Sequence, residues 1–249
     1  FALIADKINQ MADDIKEILE NERRNENAKN ELITSVAHDL RTPLTSIIGY
    51  LDLVSRKPLS DEMRRKYIEI AYSKSKRLEK LIDDLFTYTK FNFGEVKPVY
   101  DEVDMVKLID QLLDEFYPSF AENNLEFLFQ TNLSSAVIMA DGGLLARAFA
   151  NLISNAIKYG KGGKQIEIKL AKDEDTIRVD IISYGEIIPE DDLEKIFTRL
   201  YRVRVESSRS SETGGSGLGL AIAQSIILLH GGTIKAESSE EGTVFITQI

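Results

Sequence analysis

The apolar residues of this 249-residue chain change their period once, and that change divides what the chain can fold into. In the first third they return every three or four positions. Ile33, Val36, Leu40, Leu44, Ile47, Leu51 and Val54 form one run, and Met63, Tyr67, Ile70, Leu78, Leu81, Leu85 and Tyr88 form the next. That spacing lines one face of an α-helix. Beyond position 102 come runs that alternate every second residue, in LEFLFQ, QIEIKL, TIRVDII, GTIKAE and TVFITQI, the period of half-buried strands. The chain is therefore multidomain, an all-helical part followed by a mixed α/β part.

Within the helical part, Ile4, Ile8, Met11, Ile15 and Ile18 repeat at four then three, the seam of a two-stranded coil. After the polar NERRNENAKN the seam resumes and runs to about Arg56. KPLSDE supplies a Pro and a Ser or Asp start signal, so a second helix is expected from Ser60 to Phe91. Two long helices with so short a connection pack antiparallel, and a hairpin with one apolar face on each helix buries both by pairing with a second copy as a four-helix bundle. Gly94 and Pro98 mark a linker. In the second part the helical patterns are Val103 to Glu122, Gly142 to Tyr159 and Leu218 to His230, expected on one face of the sheet. The boundaries read as 1–24 for a coiled signalling helix, 25–92 for the hairpin, 93–101 for the linker and 102–249 for an α/β sandwich. The stretch from Arg202 to Gly217, rich in Ser, Arg and Gly, is too long for a tight connection and is a candidate lid.

Lys and Arg total 31 against 41 acids, a net charge of −10, which argues against nucleic acid as a partner. With no cysteine, disulfides and thiolate metal sites are excluded. No stretch approaches the roughly 18 apolar residues of a membrane span. A start at Phe1 without Met suggests a cytoplasmic fragment of a longer membrane receptor, with any anchor upstream.

SVAHDLRTPLTSIIGY places one of the two histidines, His38, off the apolar seam, on the face of Thr34, Arg41, Thr42 and Thr45. It is expected to meet solvent. Pro43 lacks the N–H that would bond the Asp39 carbonyl, so the helix is expected to bend beneath the histidine. A neutral imidazole is a nucleophile, and a carboxylate that accepts from Nδ1–H leaves Nε2 free to attack. Asp39 is adjacent, although neighbours at i and i+1 diverge on an ideal helix. HDLRTPL resembles the phosphoacceptor box of sensor histidine kinases of two-component systems. The resemblance implies that His38 takes the γ-phosphoryl of ATP, that Asp39 assists as base, and that Thr42 positions water for a phosphatase step, with Arg41 beside them in the box. ALIADKINQMADDIKEI is similar to the last helix of a HAMP linker.

In NLISNAIKYG, Asn151, Asn155 and Lys158 stand at i, i+4 and i+7 on a helix whose other positions are apolar. An amide oxygen is a hard ligand suited to Mg2+, and an ammonium suits phosphate. The string, through Tyr159, resembles the N box of the same family, which implies Asn155 on Mg2+ and Lys158 near the phosphates. GGSGLGLAIAQ puts glycines at 214, 215, 217 and 219 just before an apolar helix, where backbone N–H groups can face an anion. With IFTRLYR and the Ser/Arg stretch before it, the order resembles the F box, lid and G2 box. That resemblance places Gly215, Gly217, Leu218 and Gly219 against the nucleotide and leaves Arg199, Arg202 or Arg209 to neutralise phosphate. His230, before Gly231 and Gly232, reads as a helix C-cap.

The family's adenine box, Asp-x-Gly-x-Gly before Ile-Pro, departs here to SYGEIIP. Ser183 stands where the acid is expected, Gly185 keeps the first glycine and Ile187 replaces the second. Asp180 lies three residues too early and by strand alternation need not face the pocket. A hydroxyl gives up a charge-assisted bond, a loss of about 1 to 3 kcal/mol, so ATP is expected to bind up to about two decades more weakly. The resemblance spans nearly the whole chain. It implies a GHKL-type ATP-binding domain behind a dimerising hairpin, in a homodimeric kinase that autophosphorylates His38 with Mg2+ and ATP and passes the phosphoryl group to an Asp of a response regulator. Two rivals stand beside it: a nucleotide-weak pseudokinase that works as phosphatase or scaffold, and an ATPase clamp whose helices only dimerise.

Overall fold

The structure, a computed structural model, describes residues 16, 23, 34, 36–92, 94, 96–160, 162–173, 176–203 and 217–249. The chain forms two compact units, 1–81 and 82–249. The coiled seam expected over Ile4 to Ile18, and with it the HAMP-like lead-in, lies outside the described residues.

In the first unit, helix α1 (36–56) runs unbroken through Pro43, and α2 (Asp61–Asn92) follows a four-residue connection. The Ser60 hydroxyl accepts from the Met63 N–H at 3.3 Å and so starts α2, with Asp61 and Glu62 in its first turn. Tyr50 and Tyr67 meet with ring centroids 5.4 Å apart, each about one and a half turns from the connection, which makes the pair an antiparallel hairpin. Val36, Ala71 and Leu81 are buried, yet Leu44, Ile48, Leu51, Met63, Ile68 and Tyr72 remain exposed on the single chain.

The second unit carries a five-stranded sheet ordered β2-β4-β5-β7-β6, from β2 (Glu126–Thr131), β4 (Gln165–Asp173), β5 (Thr176–Ser183), β6 (Thr233–Ser239) and β7 (Gly242–Gln248). Only β2 and β4 are parallel. One face is apolar by simple alternation: Ile166, Ile168 and Leu170 on β4, Ile177, Val179 and Ile181 on β5, and Phe245 on β7 are all buried. Thr247, fully buried among them, donates its hydroxyl to the Val179 carbonyl at 2.9 Å. Onto this face pack α3 (Met105–Glu122), α4 (Gly142–Tyr159) and α5 (Gly219–Leu229). The last turns of α2 belong here too: Leu85, Tyr88 and Phe91 pack on the same core, and Arg147 of α4 reaches the Asp83 carbonyl at 3.2 Å and the buried Asp84 carboxylate at 3.5 Å.

Two strands escaped the sequence reading. β1 (Asp101–Asp104) and β3 (Val137–Ala140) form a separate antiparallel ribbon, with Val103 against Ile138. Four residues each are too short to display a period. As a correction, the helix expected from Val103 starts at Met105, because Asp104 caps it by accepting from the Val106 N–H at 3.1 Å, while Val103 and Asp104 stay extended.

Phe149, fully buried on α4, tests this core. Phe149→Ala is expected to lower the unfolding free energy by about 3 to 5 kcal/mol in urea titrations.

Candidate functional site

On α1, His38 projects from the helix with its side chain 78% exposed, and its Nδ1 lies 3.4 Å from Asp39 Oδ1. A carboxylate can only accept, so this contact selects the Nδ1–H tautomer and leaves the Nε2 lone pair toward water. Asp39 therefore reaches the ring despite its i+1 position. Thr42 donates to the His38 carbonyl at 3.2 Å, and Arg41 is exposed beside it.

The second constellation lies in the second unit along α4. Burial of Leu145, Ala148, Phe149, Leu152, Ile153, Ala156 and Ile157 rotates Asn151, Asn155 and Lys158 to one side. Asn151 Nδ2 donates to the Gly219 carbonyl at 3.1 Å and so fastens the start of α5. Asn155, half-buried, has no hydrogen bond to a described residue. Lys158 Nζ lies 2.9 Å from the exposed Tyr159 hydroxyl and over that ring. α5 begins at Gly219 with no side-chain cap, so its first N–H groups offer a positive pole. Gly217, at φ 68°, precedes it. Its carbonyl accepts from the Leu200 N–H at 2.9 Å, and a Cβ at 217 would come within 2.9 Å of Leu200 Cα. Leu200 itself holds φ 60°, costly for a branched side chain. This clasp joins the two ends of the candidate lid, and the sequence contains no sign of it.

At the other end of α4, Ser183 closes β5. It is 96% buried by its 4% exposure, with its Cβ under Gly160 and its hydroxyl bonded to no described residue. Gly185 sits so close to the Tyr159 carbonyl that any side chain there would overlap it. Asp180 points to the opposite face of the sheet, where Arg178 Nε holds its two oxygens at 2.9 and 3.1 Å. Thr243 of β7, the register partner of Ser183, is also buried and bonds the Ser238 hydroxyl at 2.7 Å. The sequence reading passed over Thr243, since nothing in TVFITQI sets it apart from a core strand. Tyr184 donates to Glu167 at 2.5 Å, which lowers the Glu167 pKa and raises that of Tyr184. Ile187 is exposed.

Of the three candidate arginines, Arg199 is drawn to the Tyr88 hydroxyl at 3.4 Å, Arg202 is exposed, and Arg209 lies outside the described residues, as does Gly215. Leu218 is fully buried behind the turn. No group of three or more His, Cys, Asp or Glu that could hold a metal occurs among the described residues. The free Asn155 amide is the kind of single hard-oxygen ligand that suits Mg2+ carrying waters and nucleotide phosphates for its other positions. The residues present fit that group.

His230 caps α5 and does more. Its Nδ1 donates to the Ile226 carbonyl at 2.8 Å, and its Nε2 accepts from the Asp141 N–H at 3.0 Å, which fixes a neutral ring. Asp141 caps α4 by accepting from Leu144, and also takes the Val99 N–H of the linker at 2.9 Å. Burial alone would raise the Asp141 pKa, but the N–H groups of Val99, Leu144 and Gly143 hold it below the usual carboxylate range.

Residues 28–94 match the His Kinase A (phospho-acceptor) domain, and 140–249 match the histidine kinase-, DNA gyrase B- and HSP90-like ATPase family. The sensor protein VanSC of Enterococcus gallinarum is 42% identical over 222 residues, covering 88% of this chain and 60% of the relative. VanS of Enterococcus faecium is 35% identical over 249 residues, covering 98% and 64%. The chain thus spans less than two thirds of these relatives. Among solved structures, histidine kinase ThkA in complex with the response regulator protein TrrA shares 28% identity at a TM-score of 0.72, over 88% of this chain and 60% of that one.

Asp141→Ala is expected to cost about 0.5 to 2 kcal/mol at neutral pH through the lost cap. Because the folded pKa of Asp141 is depressed, its contribution is complete above the unfolded value near 4 and is lost as pH falls through the lower folded value. The gap between wild type and variant in urea titrations should therefore close in acid.

Proposed function

Because the chain belongs to the sensor histidine kinases of two-component systems, we propose that it binds Mg·ATP along α4, transfers the γ-phosphoryl group to His38, and passes it to an aspartate of a response regulator. The observation that carries this reading is His38: an exposed imidazole whose tautomer leaves Nε2 unprotonated. The Nε2 lone pair forms the new N–P bond as the γ-phosphorus bond to the ADP oxygen breaks. Asp39, accepting from Nδ1–H, offsets the positive charge that develops on the ring or takes its proton. Thr42, one turn on, is the group that positions a water when the same helix works as a phosphatase.

At the nucleotide, Asn155 is the metal ligand, and Mg2+ when bound supplies charge neutralisation at the phosphates. Asn151 keeps the α5 N-terminus aimed, Lys158 and the N–H groups after Gly217 receive phosphate oxygens, and Arg199 or Arg202 adds charge on the lid side. The exposed stripe of Leu44, Ile48, Leu51, Ile68 and Tyr72, with Ile82 and Phe86 further along α2, supports pairing of two hairpins in a homodimer. No helix among the described residues is long and apolar enough to cross a membrane. Ser183 and Ile187 in the adenine box favour a second reading, a nucleotide-weak form that works mainly as phosphatase or scaffold.

Incubation with Mg·ATP and intact-mass analysis separates the two. An acid-labile phosphoryl adduct is expected on the wild type and absent from His38→Gln; no adduct at saturating nucleotide rejects the kinase reading. Ser183→Asp is expected to tighten Mg·ADP by up to about a hundredfold in calorimetry, since it restores a charge-assisted bond.

A further inference from the structure

The proposed nucleotide site along α4 has a direction. One end is an anion pole, where the uncapped α5 N-terminus, Asn151 and Gly217 come together. Gly160 and Ser183 stand at the other end. The nine-residue step from Asn151 to Gly160 is about 13 Å along a helix at about 1.5 Å per residue, comparable to the reach of an extended nucleoside polyphosphate. Phosphates at α5 therefore bring the base to Ser183. Among the described residues no buried side-chain nitrogen or oxygen lacks a partner, so the unpartnered hydroxyl of the buried Ser183 is not sealed in and faces open space.

What lies at that end carries no fixed hydrogen-bonding polarity. Ser183 and Thr243 face each other across β5 and β7 on the same buried side of the sheet. The Ser238 hydroxyl accepts from the Ile188 N–H at 2.9 Å and shares a 2.7 Å bond with Thr243 in which either oxygen can donate. If Ser238 donates, the Thr243 proton is left for a ligand; if Thr243 donates, its lone pair is. A hydroxyl both donates and accepts, whereas a carboxylate only accepts. The nearest acid on the strand, Asp180, faces away and is held by Arg178.

Resting on the nucleotide-binding reading above, we infer that Ser183 and Thr243 make this base-reading end indifferent to the sign of the group at purine C6, so that the site takes 6-oxopurine nucleotides alongside adenine nucleotides. An adenine amine donates to the Ser183 oxygen. A hypoxanthine or guanine carbonyl instead accepts the Ser183 proton, with Thr243 turning to match. An acid at 183 would oppose that carbonyl with a second acceptor, leave both buried and unpaired, and so create selectivity by exclusion.

The test is calorimetry on the full chain with Mg·ADP and Mg·IDP, which differ at C6 and N1. The two are expected to bind the wild type within about tenfold of each other. Ser183→Asp is expected to move the ratio toward ADP by at least about tenfold, while Ser183→Asn, whose amide also donates and accepts, keeps the wild-type ratio. Preference of the wild type for ADP by more than about a hundredfold, or a ratio that Ser183→Asp leaves unchanged, overturns the inference. Binding of ADP without IDP sinks this inference alone, whereas binding of neither sinks the nucleotide site itself. The wild-type ratio stands even if a variant fails to fold.

Discussion

Burial of one face of α4 decides the geometry of the proposed nucleotide site. Seven apolar side chains of that helix, from Leu145 to Ile157, are driven against the sheet and α5, and a helix with that many contacts cannot rotate without exposing several of them. Its remaining stripe of Asn151, Asn155 and Lys158 is thereby aimed. Asn151 and Lys158 make bonds of their own, to the Gly219 carbonyl and the Tyr159 hydroxyl. Asn155 makes none with the described residues, and its availability follows from the packing of its neighbours.

Backbone proximity then shapes the two ends of the proposed site. Near the start of α5, Gly217 and the left-handed Leu200 bring two chain segments so close that only a missing side chain permits it. The end of α4 has the same solution in Gly160 over Ser183 and Gly185 on the Tyr159 carbonyl. Behind them, His230 and Asp141 tie the end of α5 to the start of α4 and to the linker residue Val99 through neutral and charge-assisted bonds. The proposed site is thus framed by elements far apart in sequence.

Long, periodic segments were readable because their period is itself the consequence of burial. α2, α4, α5 and the five sheet strands stand within a few residues of their expected ranges. The ribbon of β1 and β3 was not readable, because four-residue strands are too short to show alternation and Asp104 looked like a helix residue rather than its cap. Exposure of His38 followed from its place off the seam, but its contact with Asp39 depended on side-chain reach that a helical wheel does not represent.

By itself the sequence named the candidates for chemistry, since a nucleophilic imidazole, a hard amide ligand and glycines before a helix are properties of residue type and local spacing. It also determined that Ser183 cannot act as a carboxylate. Tertiary structure alone decided which groups share a surface: that Thr243 faces Ser183, and that Leu200 clasps Gly217. The first pairing rests on the register of two strands far apart in sequence and the second on loop segments brought together by packing, and no local spacing encodes either.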